Sequence, residues 1–270
     1  MKTLLVLNDY TPEAEHALAY SIMLASGLHT RILVWNLREQ PQHERQFVKA
    51  NTKNADIEPS IKWLEKVKLS IGNDQDYEPS IHFLTEMETL TKGLHELVIS
   101  NNVDLVIRGI SSKTENKGPG INVILKKTHC PLMLISEETP LTVPENIFYL
   151  TDLRFCRREV VSFAKKISDE FNSHITIAHC SDPDLPNLNE KYASILFKDT
   201  VAQNNKQHNI SFTYVKDRDF KRVTDVLINT LHARLLLLES KSAHFKALTS
   251  KNRHMLEFAE LTVPVVIFPS

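Results

Sequence analysis

Glycine is scarce in this chain: there are six in 270 residues, with none beyond Gly120, against an ordinary usage of about 7%. Any turn in the second half that needs left-handed backbone must therefore use a residue that carries a side chain. Cysteine is scarcer still. Cys130, Cys156 and Cys180 stand alone, with no C-x-x-C pair. This excludes a disulfide framework and the common zinc spacings, and it fits a reducing compartment. Neither sign of charge is in excess, for 32 Lys and Arg meet 33 Asp and Glu. That balance gives no electrostatic reason to propose nucleic acid or a membrane as a partner. Lys126-Lys127 and Arg157-Arg158 read as solvated helix faces, since a nucleic-acid footprint is a clustered patch.

Long hydrophobic runs are also missing. The run that opens the chain, Leu4 to Leu7, breaks at Asn8-Asp9 and is too short for a secretory core. No run approaches the length of a membrane span. A cytoplasmic protein is expected. Three catalytic signatures are absent: the nucleophile elbow G-x-S-x-G, the phosphate loop G-x4-G-K-[ST] and a complete G-x-G-x-x-G. Catalysis is not expected as the main role.

Apolar residues make up 42% of the chain and charged residues 24%, which suits a globular protein with room for two domains. Short apolar runs alternate with helical patterns from end to end. Lys2 to Asn8 reads as a strand. Thr11-Pro12-Glu13 then opens a helix, with Thr as N-cap, Pro at the first helical position, a Leu18, Ile22 and Ala25 stripe, and Gly27 as its stop. Thr30 to Leu37 is a strand and Gln42 to Ser70 a polar helical stretch. A strand near Ser80 to Thr85 and a helix from Met87 to Asn101 follow. Leu105 to Ile107 and Leu132 to Ile135 are buried strands, joined by a glycine-bearing loop and a short helix.

Glu137 to Pro144, with two prolines, reads as a linker between a first domain, 1–138, and a second, 145–270. The order then restarts. Strands are predicted over Ile147 to Thr151, His174 to Cys180, Ile210 to Val215, Arg234 to Leu238 and Pro264 to Phe268. Helices are predicted over Phe155 to Phe171, Asn187 to Gln207, Lys221 to Leu231 and a stretch ending at Leu261. Leu7-Asn8-Asp9 corresponds to Leu150-Thr151-Asp152, and Cys130-Pro131 to Val263-Pro264. Alternating strands and helices in each half give the fold class: α/β, two doubly wound parallel sheets in tandem. In such sheets the strand ends at the switch point bind ligands, and helix N-termini favour phosphate.

The stretches Leu7 to Leu18, Tyr149 to Asp152 and Ile177 to Pro183, with the Cys130-Pro131 approach to a last strand, resemble the universal stress protein family in its tandem form. The resemblance covers nearly the whole chain. It implies a five-stranded sheet per domain in the order 3-2-1-4-5, with the two domains paired through their last strands. Many family members bind ATP, through an aspartate after strand one and a loop G-x2-G-x9-G-[ST] after strand four. The implied nucleotide residues here are Asp9, Asn36, Gly109, Gly118 and Gly120. The match is partial: Ser112 stands at the second glycine, the segment before Cys130-Pro131 is short, and Pro119 replaces the hydroxyl residue. In the second domain Glu239 stands at the first glycine, and Lys251 and Asn252 occupy the last two positions.

Each of these residues also has a plain structural reading. Asp9 and Asp152 cap strand-to-helix turns, the glycines serve as turns, and Asn36 faces a polar sheet edge. Adjacent strand residues point to opposite faces, so His129-Cys130 and His179-Cys180 are not expected to chelate a metal. Three functions stay open: a non-catalytic stress-type protein acting through partner proteins, a weak ATP or AMP switch confined to the first domain, and a sensor of another small ligand. No cofactor beyond that ATP is implied. A homodimer is compatible with the sequence, and the protein partners are unknown.

Overall fold

The computed structural model describes residues 1–37, 78–84, 93–111, 119–182, 185–202, 210–217, 219–242, 245 and 261–270. The helical stretch Gln42 to Ser70, the loop positions Ser112 and Gly118, the residues Lys251 and Asn252, and the last predicted helix lie outside the described residues, Leu261 excepted. The chain divides into two compact units, Met1–Glu137 and Glu138–Ser270.

In the first unit the strands are β1 (Thr3–Asn8), β2 (Arg31–Asn36), β3 (Ile81–Phe83), β4 (Leu105–Ile110) and β5 (Leu132–Ser136). They lie in the order β3-β2-β1-β4-β5, and all are parallel. The helices are α1 (Pro12–Leu28), α2 (Leu94–Ser100) and α3 (Ile121–Thr128). Leu4 to Leu7, Ile32 to Val34, Leu105 to Ile107 and Leu132 to Ile135 are buried. A parallel strand covered on both faces cannot alternate with polar residues, which is why these runs are continuously apolar.

Helix α1 starts as the sequence predicts, with Thr11 accepting from the Ala14 amide and Pro12 at the first helical position. Its stop is not Gly27, which lies inside the helix. The chain leaves at His29, whose φ of 50° is left-handed and whose amide reaches back to the Ala25 and Ser26 carbonyls. Helix α2 begins after Gly93; Met87, the predicted start, lies outside the described residues. Glycine is costly inside a helix and acceptable at its cap.

The second unit repeats the plan with β6 (Asn146–Thr151), β7 (His174–Cys180), β8 (Ile210–Val215), β9 (Leu235–Glu239) and β10 (Val265–Phe268). Their order, β8-β7-β6-β9-β10, is again 3-2-1-4-5 and parallel. The helices are α4 (Arg158–Phe171), α5 (Glu190–Phe197) and α6 (Phe220–Asp225). Wider π-helical turns over Lys198–Ala202 and Val226–Thr230 continue the last two. The helix predicted from Phe155 is broken: Leu153–Phe155 is a separate 3-10 turn capped by Asp152, and α4 starts at Arg158.

Among the described residues, left-handed turns without glycine use histidine and asparagine and, at one position, Tyr10. His29, Asn102, His129, Asn172 and His232 all carry φ near 50°. Three of them, His29, His129 and Asn172, end helices, the place where glycine is usual.

Candidate functional site

The carboxyl ends of β1 and β4 meet in the first unit, since Leu7 pairs with Arg108. Asn8 is fully buried and bridges to β2, donating from Nδ2 to Asn36 Oδ1 at 2.8 Å, while its own Oδ1 accepts from the Tyr10 amide at 2.9 Å. Tyr10 is left-handed, with φ of 58°, and turns the chain toward α1. Asp9 is half-buried, and its Oδ1 accepts from the Thr11 hydroxyl at 2.6 Å and the Thr11 amide at 3.3 Å. Asp9 thus fixes the residue that caps α1.

Gly109 lies within β4, one residue before its end. A Cβ built there would sit 2.2 Å from the Glu13 carbonyl oxygen and 2.7 Å from the Ala14 nitrogen. The first turn of α1 therefore lies directly against the strand, and only glycine fits between them. Gly120 differs: it is the exposed N-cap of α3, with φ of −63° and nothing within 4 Å of a built Cβ. Gly118 lies outside the described residues.

One functional residue was not singled out in the sequence. Arg108, on β4, is 4% exposed and donates from Nη1 to the carbonyl of Pro119, at the far end of the loop. Burial pulls its pKa below the ordinary guanidinium value, and the nearby Asp9 carboxylate partly restores it. The legible signal was a lone cation within the apolar run Leu-Val-Ile-Arg-Gly-Ile, because buried charges need partners. Asp9 and Arg108 are brought together. Asn36 joins them only through Asn8.

The matching site of the second unit is filled by its own side chains. Strand pairing places Thr151 beside His179 where Asn8 stands beside Asn36. Glu239 takes the place of Gly109, and its Oε1 accepts from the Tyr149 hydroxyl and, at 3.2 Å, from Thr151 Oγ1. The Tyr149 oxygen in turn accepts from the Arg157 amide at 3.2 Å. Burial first, and the Glu239 charge second, push the Tyr149 hydroxyl well above the usual phenol range. The same two causes raise the Cys156 thiol to about 12, so it is protonated and unreactive at neutral pH.

Asp152 is enclosed as well. It accepts from Arg154 Nε at 2.8 Å and Nη2 at 2.5 Å, and from the amides of Arg154 at 3.1 Å and Asp182 at 3.0 Å. Burial works to raise its pKa, but the Arg154 and backbone hydrogen bonds outweigh it and hold the carboxyl below its ordinary value. His179 is fully buried: its Nδ1 accepts from the Leu153 amide at 3.2 Å, and its Nε2 lies 3.3 Å from Ser181 Oγ, to which it donates. That acceptance leaves the proton on Nε2. It is a structural histidine, bound on both nitrogens.

His129 is exposed while Cys130 is buried, and among the described residues no group of three His, Cys, Asp or Glu side chains could hold a metal ion. No described helix is long and apolar enough to cross a membrane. For ATP the fit differs between the units. The second presents a carboxylate, Glu239, where phosphates would approach, and does not fit. The first offers an open helix N-terminus at Gly120 but no cradle at Gly109, whose space is taken by α1.

No family model matches the sequence, and no curated protein matches it. Solved structures do match. A universal stress protein from Archaeoglobus fulgidus DSM 4304 aligns over 98% of this chain and 97% of its own, with 12% identity and a TM-score of 0.61. A functionally unknown protein from Pseudomonas aeruginosa PAO1 aligns over 99% of this chain and 92% of its own, at 11% identity and a TM-score of 0.54. The cytoplasmic domain of a prokaryotic cation chloride cotransporter aligns over 98% of this chain and 94% of its own, at 12% identity and a TM-score of 0.54. Across its whole length, the chain has the tandem α/β fold seen in universal stress proteins.

Proposed function

We propose that this is a cytoplasmic, non-catalytic stress-type protein that works through binding and protein interaction, with its second unit closed to nucleotide. The observation that carries this reading is the Glu239 carboxylate held by Tyr149 and Thr151 where the first unit has Gly109. A nucleotide phosphate brought there would meet negative charge. In the second unit His179 is bonded on both nitrogens and the Asp152 carboxylate is enclosed by Arg154 and backbone amides, which argues against either acting as a general base. Calorimetry on the full chain tests this: no more than one ATP or AMP per chain is expected, with no turnover of ATP. Two sites per chain, or steady hydrolysis, would overturn it.

A second reading is favoured by one feature of the first unit. Arg108 places a buried cation on the loop that leads to α3, whose N-terminus is open at Gly120. This supports weak adenine-nucleotide binding there, with Asp9, Asn36 and Gly120 at the rim. Gly120→Asp separates the cases, since aspartate suits an N-cap yet repels phosphate. A single site that weakens in this variant supports the switch, while absence of binding to wild type removes it.

A further inference from the structure

The two units end their sheets differently. In the first, the outermost strand β3 is only three residues long. In the second, the outermost strand β8 is six residues, Ile-Ser-Phe-Thr-Tyr-Val, all half-buried. It contains no charge, no proline and no glycine. Among the described residues β8 pairs only with β7. Edge strands normally carry lysine, proline, a bulge or very short length, because an open row of backbone groups recruits another strand. β3 uses shortness; β8 has none of these devices.

The strand is also held rigidly in an extended shape. Phe212 stacks on Phe197 of α5 with centroids 5.2 Å apart, and the Tyr214 hydroxyl donates to the Leu188 carbonyl at 2.8 Å. On the other face Ser211 Oγ lies 2.8 Å from both Thr176 Oγ1 and His174 Nε2. Ordering such a strand for pairing costs little further entropy.

We infer that β8 is a dimerisation edge: two copies of this chain pair antiparallel through Ile210–Tyr214. The occupant is a second copy because the strand is complementary to itself. A two-fold axis normal to the sheet keeps each face in register, and residues directly opposite share a face. With Phe212 opposite Phe212, Ile210 meets Tyr214 and Ser211 meets Thr213. Apolar side chains face apolar ones, hydroxyls face hydroxyls, and no like charges meet, the pairs that stabilise antiparallel strands. A five-residue ladder, Ile210–Tyr214, alone falls short of the area a stable dimer buries. Helix α5, which packs over β8, exposes Tyr192 and Ile195 and supplies further apolar surface beside the strand. Weak, concentration-dependent association is expected of an interface of this modest size.

Sedimentation equilibrium on the full chain tests the inference. Wild type is expected to associate to twice 30.9 kDa as concentration rises. Thr213→Lys puts two ammonium groups beside the two-fold axis and is expected to weaken association at least about tenfold, a change of about 1.4 kcal/mol, with an unchanged far-ultraviolet spectrum. A wild type that stays at 30.9 kDa, or a dimer untouched by Thr213→Lys, overturns it. Should the variant misfold, hydrogen exchange on wild type decides. Protection at Ile210–Val215 must rise with protein concentration, and concentration-independent exchange there overturns the proposal.

Discussion

The Gly109 Cα lies so close to helix α1 that a Cβ on it would stand 2.2 Å from the carbonyl oxygen of Glu13. Backbone on both sides makes the contact rigid. Gly109→Ala is expected to destabilise the first unit by about 3 kcal/mol or more, or to prevent folding, as overpacking of rigid neighbours does. Urea unfolding checks this. A variant within about 0.5 kcal/mol of wild type, the usual range for neutral surface changes, would show that α1 can move away from the strand. A loss of ligand binding in such a variant would then report on packing and not on phosphate contact.

Glu239 accepts from two hydroxyls at the end of its sheet. Glu239→Ala leaves the fully buried Tyr149 hydroxyl without its acceptor, a loss of about 1–3 kcal/mol. Removing the carboxylate also removes one of the two causes that raise the Cys156 thiol to about 12. In native protein at pH 8, Cys156 is expected to react with a thiol reagent faster in the variant than in wild type. Equal rates would mean that burial alone protects the sulfur.

Asp152 gives the second unit an acid-sensitive element. Its folded-state pKa lies below the ordinary value because Arg154 and two backbone amides bind the ionised form. A depressed pKa contributes stability that is complete above the unfolded value, near 3.9. That stability is lost as pH falls through the folded value. Asp152→Asn is therefore expected to lower stability at pH 7 and to flatten the acid limb below about pH 4. Parallel acid limbs for the two proteins would remove Asp152 as the cause.

His29 ends α1 in left-handed backbone with φ of 50°. A side chain there costs roughly 1–2 kcal/mol, and glycine avoids that cost while gaining unfolded-state entropy worth about 0.4–1 kcal/mol. His29→Gly should raise stability by up to about 1 kcal/mol. A lower melting temperature would show that the His29 side chain makes a compensating contact.

Much of this architecture was legible before any coordinates. Continuous apolar runs such as Leu4 to Leu7 and Leu235 to Leu238 identified covered parallel strands, because burial on both faces leaves no room for alternation. Thr11-Pro12 identified the start of α1 because a cap and a fixed φ are local properties. The scarcity of glycine correctly required other residues at left-handed positions, and Asn172 and His232 fill them in the second unit. Helix ends were less legible. Gly27 was available as a stop, yet the helix ran on to Leu28, because burial of the final turn outweighed glycine's weak preference.

The sites divide in the same way. Sequence determined the repeat and the replacement of Gly109 by Glu239, since each depends on residue type and position along the chain, while the strand order was what the family resemblance implied. Tertiary structure alone decided what those residues do. Gly109 became a packing contact because α1 crosses β4 at that point. Arg108 became a loop tether because Pro119 returns over it. Glu239 closed its site because Tyr149 of β6, far from it in the chain, places its hydroxyl on the carboxylate. Such contacts join residues far apart in the chain, and no local preference encodes a distance between them.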